Sequence, residues 1–229
     1  MNELLQIPLL PLLLTLGAYQ IGLTLQRKTG SALFNPVLIG FFLVLAFLFV
    51  TGMPHETFQT GAALTSWLLT PATISLAIPM YEHFNTLRKN LRAIFAGVAC
   101  GAVSSLFLVL VLCLAAGFDR TLTVSLLPKS ITTAFGVPIS ELYGGIGAIT
   151  TVAIIITGMI SNLLGPLLCR VFRLTSPIAR GAAFGTAGHV IGTAKACEYS
   201  PLTGAVSSLS LVTAGLLTSV VFPLIIKLL

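Results

Sequence analysis

A chain of 229 residues of which 56% are hydrophobic and only 8% charged is not an ordinary soluble domain, because soluble domains carry roughly 25% charged residues. Together with a mean hydropathy of +1.03, this composition describes an all-α integral membrane protein, since helices satisfy their own backbone groups in lipid. The net charge of +6 sits in short clusters beside apolar blocks, where membrane topology uses it; it is no sign of a nucleic-acid partner.

A bilayer core of about 30 Å takes roughly 20 apolar residues per helix. Apolar blocks fall at 4–25, 33–51, 61–81, 93–117, 144–168, 177–197 and 202–226, which predicts about seven spans in one polytopic domain over 1–229. The first block follows Glu3, lacks a basic flank and is too long for a signal peptide, so it is expected to be a mature span. Cys100, Cys113, Cys169 and Cys197 show no CxxC or Cys/His spacing, and read as small buried hydrophobes with no metal and no cofactor.

Basic clusters occur at Arg27/Lys28, at Arg88/Lys89/Arg92 and at Arg170/Arg173/Arg180. The positive-inside rule places all three in the cytoplasm, which sets the N-terminus outside and the C-terminus, with Lys227, inside. That holds only if residues 121–143 cross an even number of times. The stretch contains Pro128, Lys129 and Pro138, five Ser/Thr between Thr123 and Thr133, and Gly144 with Gly145 at its exit. It is expected to form a re-entrant hairpin, because irregular backbone at membrane depth needs protein or a watery cavity around it.

"ATISLAIPMYE" (72–82) aligns loosely with "GHVIGTAKACE" (188–198), an offset of 116 residues that carries most apolar blocks onto one another. Pseudo-repeats at 4–117 and 121–228 of opposite orientation follow, the inverted-repeat plan of secondary transporters. Each holds an interrupted helix, one broken at Pro71 and Pro79, the other at Gly185, Gly188 and Gly192. Paired interruptions of this kind mark a transporter site, although glycines also serve close helix packing.

Ionisable residues inside spans are costly and point to function. Lys129, His189 and Lys195 outnumber the acids there, since Glu82, Asp119, Glu141 and Glu198 fall near predicted span ends. The plainer alternative for either lysine is snorkelling to the interface, and for His189 a hydrogen-bonded core position. The predicted substrate site comprises Lys129, Ser130, Thr132, Thr133, Thr73, Thr186, His189, Thr193 and Lys195, enough donors for a small carboxylate. His189 is the expected proton carrier. HExxH, GxSxG and paired intramembrane carboxylates are all missing, so no enzyme is expected.

The segments "LLPKSITT" (126–133), "GGIGAITTVAIIITGMISNLLG" (144–165), "ARGAAFGTAGHVIGTAKACE" (179–198) and "GAVSSLSLVTAGLLTSVVFPLI" (204–225) carry a nearly full-length resemblance to the LrgB/CidB family of bacterial membrane proteins. "TPATISLAIPMYE" and "FNPVLIG" add to it. The chain departs from the family at Ala134, Phe135 and Gly136, where Pro-Ile-Ala is usual, and at Gly188, where Ser is usual. The resemblance implies one of two activities. Bacterial members are described as holin-like or antiholin-like regulators of murein hydrolase export and lysis, acting beside an LrgA-type membrane partner. Other relatives resemble transporters of glycolate, glycerate or pyruvate.

The reading adopted from the residues is a secondary carrier of small monocarboxylates in a bacterial cytoplasmic membrane, a homodimer that moves a small anionic solute. The holin-like or antiholin-like regulator is the alternative.

Overall fold

The computed structural model describes residues 9–29 and 34–227, apart from the side chains of His55, Ser66, Leu69 and Thr73. The starts of the blocks expected at 4 and 33, and the side chain of Thr73, therefore lie outside the described residues. Every regular element among the described residues is a helix. The chain divides after Ser75 into two compact units.

The first unit holds α1 (Leu10–Thr29), α2 (Pro36–Thr51), α3 (His55–Gly61) and α4 (Ala63–Ser75). Helix α2 starts where it does because the Asn35 side chain accepts from the Val37 amide at 2.9 Å and Pro36 occupies the first turn. It stops at Gly52, whose φ of 63° closes the last turn onto the Leu48 carbonyl. Helix α1 lies against it at Gly22, where a Cβ would come within 2.8 Å of the Pro36 backbone. Pro71 was expected to break a helix, yet α4 runs through it to Ser75.

The second unit contains α5 (Ala77–Glu82), α6 (Phe84–Ala115), α7 (Arg120–Leu126), α8 (Thr133–Leu142), α9 (Gly147–Val171), α10 (Pro177–Tyr199) and α11 (Pro201–Ile226). Pro79 does not break α5 either, because it sits in the first turn, where amides have no intrahelical acceptor. The interruption lies at Leu76, between α4 and α5. Four stretches are long and apolar enough to cross a bilayer, namely Ala63–Glu82, α6, α9 and α11. The predicted seven spans thus reduce to four that meet that test among the described residues.

Helices α7 and α8 have seven and ten residues, about 10 and 15 Å of rise, so neither crosses a 30 Å core. They form an antiparallel helical hairpin. Thr150 of α9 fixes its geometry: its Oγ1 donates to the Ser125 carbonyl at 2.9 Å and bonds the Ser140 hydroxyl at 2.7 Å, which holds α7 and α8 side by side. Ser125 in turn accepts from the Ile146 amide at 2.7 Å. Gly136 lies nearer the tip, where a Cβ would sit 3.3 Å from the Pro128 carbonyl. Thr150→Val should strand these buried groups and cost about 1–3 kcal/mol. Thermal unfolding in detergent measures it, and an unchanged midpoint would mean that Thr150 does not hold the hairpin.

The larger departure from expectation is α10. Predicted as a full span over 177–197, it is a second hairpin. His189 has φ 42° and ψ −132°, a left-handed backbone that a non-glycine residue adopts only under constraint, and the chain reverses there. A straight helix would separate Phe184 from Tyr199 by roughly 22 Å. Their ring centroids lie 5.8 Å apart, and the Arg180 guanidinium sits 5.1 Å from the Tyr199 ring. Gly192 comes so close to the Phe184 carbonyl that no Cβ fits between them.

The glycines expected to break this helix instead let its arms pack. The first arm (177–188) runs parallel to α11, with Gly181 against the Thr203 carbonyl and Gly185 against that of Ser207. The second arm (190–199) returns antiparallel to α11, with Thr193 bonded to Ser207 at 2.9 Å and Gly204 packed against Cys197. Gly188 meets Ser161 of α9, and Gly165 of α9 meets Phe184. Small residues of this kind let backbones approach in membrane proteins.

This reversal changes which ends lie together. Helices α6 and α11 run parallel, since Leu87, Ile94 and Val98 cluster with Ala205, Val206 and Ala214, while Leu106, Val109, Leu110 and Cys113 cluster with Phe222, Ile225 and Ile226. Helix α9 runs against both. Arg88, Lys89 and Arg92 therefore share an end of the unit with Arg170 and Arg173, and Lys227 lies at the opposite end. The expectation that Lys227 joins the basic clusters is corrected, because it assumed one full crossing over 177–197.

Candidate functional site

Within the second unit, α6 and α9 both pack on α10 and leave a cavity of about 870 Å³. One stripe of each helix lines it: Asn90, Ile94, Gly97, Gly101 and Ser105 on α6, Thr157, Ile160, Ser161 and Leu164 on α9, and Ala179, Ala183 and Thr186 on α10. The spacing of three and four residues is that of one helical face. The cavity runs from Ser176 and Asn90, near the basic end, to Lys129 and Ser130 at the tip of the first hairpin. From Asn90 to Ser105 the wall rises roughly 22 Å.

Residues at or near the two hairpin tips line its floor. Ser130 bonds Ser105 of α6 through their hydroxyls at 2.8 Å. Thr186, one turn before the reversal in α10, packs its methyl group at Gly101. Ser105, Ser130 and Thr186 also border a small void, with Leu127, Ala214 and Thr218.

Among the described residues, Lys129 is the one charged residue in the cavity wall, and no acidic residue lines it. Among the described residues the ion pair found is Lys195 with Glu198, at 2.5 Å. The Thr186 Oγ1 is buried without a hydrogen-bond partner. An ammonium in an apolar wall that holds no acidic residue is the equipment for an anion.

The predicted site residues separate into two groups. Lys129, Ser130 and Thr186 come together at the floor. His189 does not line the cavity. Its ring, 4% exposed, lies behind α9, where Nε2 sits 2.9 Å from the Ile154 carbonyl. A carbonyl only accepts, so Nε2 carries the hydrogen. Gly158 makes room for that ring, as a Cβ there would lie 2.6 Å from it. Thr193 donates to the His189 carbonyl at 2.8 Å and holds the second arm. Thr132 precedes α8 without a side-chain capping bond, and Thr133 is exposed beside it.

Lys195 lies on the returning arm, outside the cavity, and its charge is met by Glu198. Lys195→Met should therefore change stability by no more than about 0.5 kcal/mol, the value of a partly exposed i,i+3 pair. A loss of several kcal/mol on thermal unfolding would show that the pair anchors the arm.

Sequence reasoning missed Ser105, Thr157 and Ser161. Hydroxyls inside apolar helices commonly bond back to their own turn, as Thr157 does to Ala153 at 2.7 Å, so their presence alone gives no signal.

The LrgB-like family model matches residues 15–228. The chain is 37% identical over 218 residues to the "Antiholin-like protein LrgB" of Bacillus cereus (strain B4264), covering 95% of each chain. It matches the protein of the same name from Bacillus anthracis (strain A0248) to the same extent. No solved structure matches it.

Proposed function

The chain belongs to the LrgB-like family, and on that premise we propose that it is an antiholin-like protein of a bacterial cytoplasmic membrane, acting without catalysis. The observation that carries this is the 37% identity, over 95% of both chains, to relatives bearing that name. Of the two functions that the sequence suggested, the relatives support the regulator over the carrier. In a bacterium lacking its own such protein, expression of this chain is expected to slow autolysis. Unchanged autolysis with the protein inserted in the membrane would reject the assignment. The same strain with and without an LrgA-type protein tests whether that partner is required.

A second reading, a carrier of small monocarboxylates, is favoured by one feature of the fold: two hairpins entering from opposite ends, with Lys129 of one and Thr186 of the other lining the same cavity. A lytic or antilytic regulator has no evident use for that arrangement. The inverted repeat takes a revised form here, in which α6 followed by the hairpin α7–α8 is repeated, upside down, by α9 followed by the hairpin α10. His189 is then the pin of the second hairpin and not the proton carrier. Uptake of labelled pyruvate, glycolate and glycerate into proteoliposomes, with and without a pH gradient, tests the reading. Equal leakage of unrelated solutes would reject it. His189→Gln is expected to leave any response to the gradient intact.

By the positive-inside rule the end bearing Arg88 and Arg170 faces the cytoplasm. The cavity then opens inward and Lys227 lies outside. Cysteines placed at Ser176 and Lys227, in a background free of native cysteines, should label from opposite sides. Labelling from one side would restore a full crossing at α10. Homodimerisation, proposed from the sequence, is testable by cross-linking in the membrane.

A further inference from the structure

We propose that the cavity takes a singly charged carboxylate with an apolar body, and not a small hydroxylated acid. The inference rests on reading the cavity as a ligand site, as the carrier function does. It concerns the kind of acid that fits.

Three observations carry it. First, charge: among the described residues Lys129 is the sole charged group in the wall, so a second negative charge on the ligand would be desolvated without compensation. Second, donors: most lining hydroxyls are already engaged. Ser105 and Ser130 bond each other, Thr157 bonds Ala153, and Ser176 caps the Ile178 amide. What remains near the floor is the Lys129 ammonium, Ser161 and the one hydroxyl hydrogen that the Ser105–Ser130 bond leaves over. These suffice for one carboxylate, and further hydroxyls on the ligand would compete for the same few groups or be buried without partners, which is penalised.

Third, shape: beyond the floor the wall is Ile94, Gly97, Ile160, Leu164 and Phe184. A volume of about 870 Å³ lies in the range of drug-sized ligands, roughly 300–1,000 Å³. A three-carbon acid would leave most of it to water against apolar side chains. An acid with an alkyl or aromatic body would lay its head on Lys129 and cover those walls.

The test is equilibrium binding of labelled acetate, butyrate and hexanoate to the full chain in lipid nanodiscs, with signal from the Lys129→Met variant subtracted to remove partitioning into lipid. Affinity should rise about fourfold per methylene, the factor that burial of one CH₂ gives. Succinate and glycerate should bind no more tightly than acetate. Gly97→Leu provides a second variant in case Lys129→Met fails to fold. A Cβ at Gly97 meets open space, so the leucine should fold, fill the apolar wall and reduce the ratio of hexanoate to acetate affinity at least tenfold. Lys129-dependent binding with equal affinity for acetate and hexanoate would overturn the apolar-body inference while sparing the carrier reading. No Lys129-dependent binding of any acid would overturn both.

Discussion

Gly185→Val is expected to destabilise the second unit by about 3 kcal/mol, the upper range for forcing bulk into a packed interior. Gly185 sits on the first arm of α10, where its Cα faces the Ser207 carbonyl so closely that even a Cβ has no room, and Ser210 Cβ would lie 2.8 Å away. The obstacle is backbone, which cannot rotate aside as a side chain can. The arm must lift from α11, and the lift would take with it the Phe184 ring, buried with Cys169 and Ala196. Thermal unfolding in detergent reads the loss. Gly97→Leu is the control, because the space around Gly97 is open. Equal stability of the two variants would show that the close approach of α10 and α11 is not what holds the hairpin.

Lys129→Met should remove most of the carboxylate affinity proposed for the cavity. The methionine keeps the length and apolar stem of the side chain and removes only the charge. Losing one hydrogen bond to a charged group costs about 1.5–3 kcal/mol, which is roughly ten- to a hundredfold in carboxylate affinity. Lys195→Met should leave that affinity unchanged, since Lys195 is engaged with Glu198 outside the cavity. Comparison of the two variants by carboxylate binding in nanodiscs separates the site from the general positive charge of the chain. Equal losses would mean that anions are drawn by surface potential and not by the floor.

Composition alone revealed the membrane class, and Pro128 with Lys129 in a short, hydroxyl-rich stretch revealed the first hairpin. Both are local signals. The second hairpin was half legible. The run of glycines around His189 announced an irregularity, but a reversal and a kink leave the same trace in sequence. What separates them is where each glycine faces, and Gly181, Gly185 and Gly192 face carbonyls of Thr203, Ser207 and Phe184, contacts set by tertiary structure. The topology inherited that ambiguity, since a hairpin and a span differ by one crossing. At the site, Lys129 and Thr186 were legible as polar residues out of place. His189 and Lys195 looked equally out of place, yet one is consumed by the Ile154 carbonyl and the other by Glu198. An unusual residue marks a polar demand, and only its partners say whose.

The staple at Thr150 bears on how the protein is made. Ser125 and Ser140 leave the ribosome before Thr150 does, and Thr150 opens the helix against which their hairpin rests. Until α9 has emerged, the Ser125 carbonyl and the Ser140 hydroxyl lack their Thr150 partner, and the hairpin has only α6, translated before it, to lie against. The two short helices therefore take their final spacing from a helix translated after them.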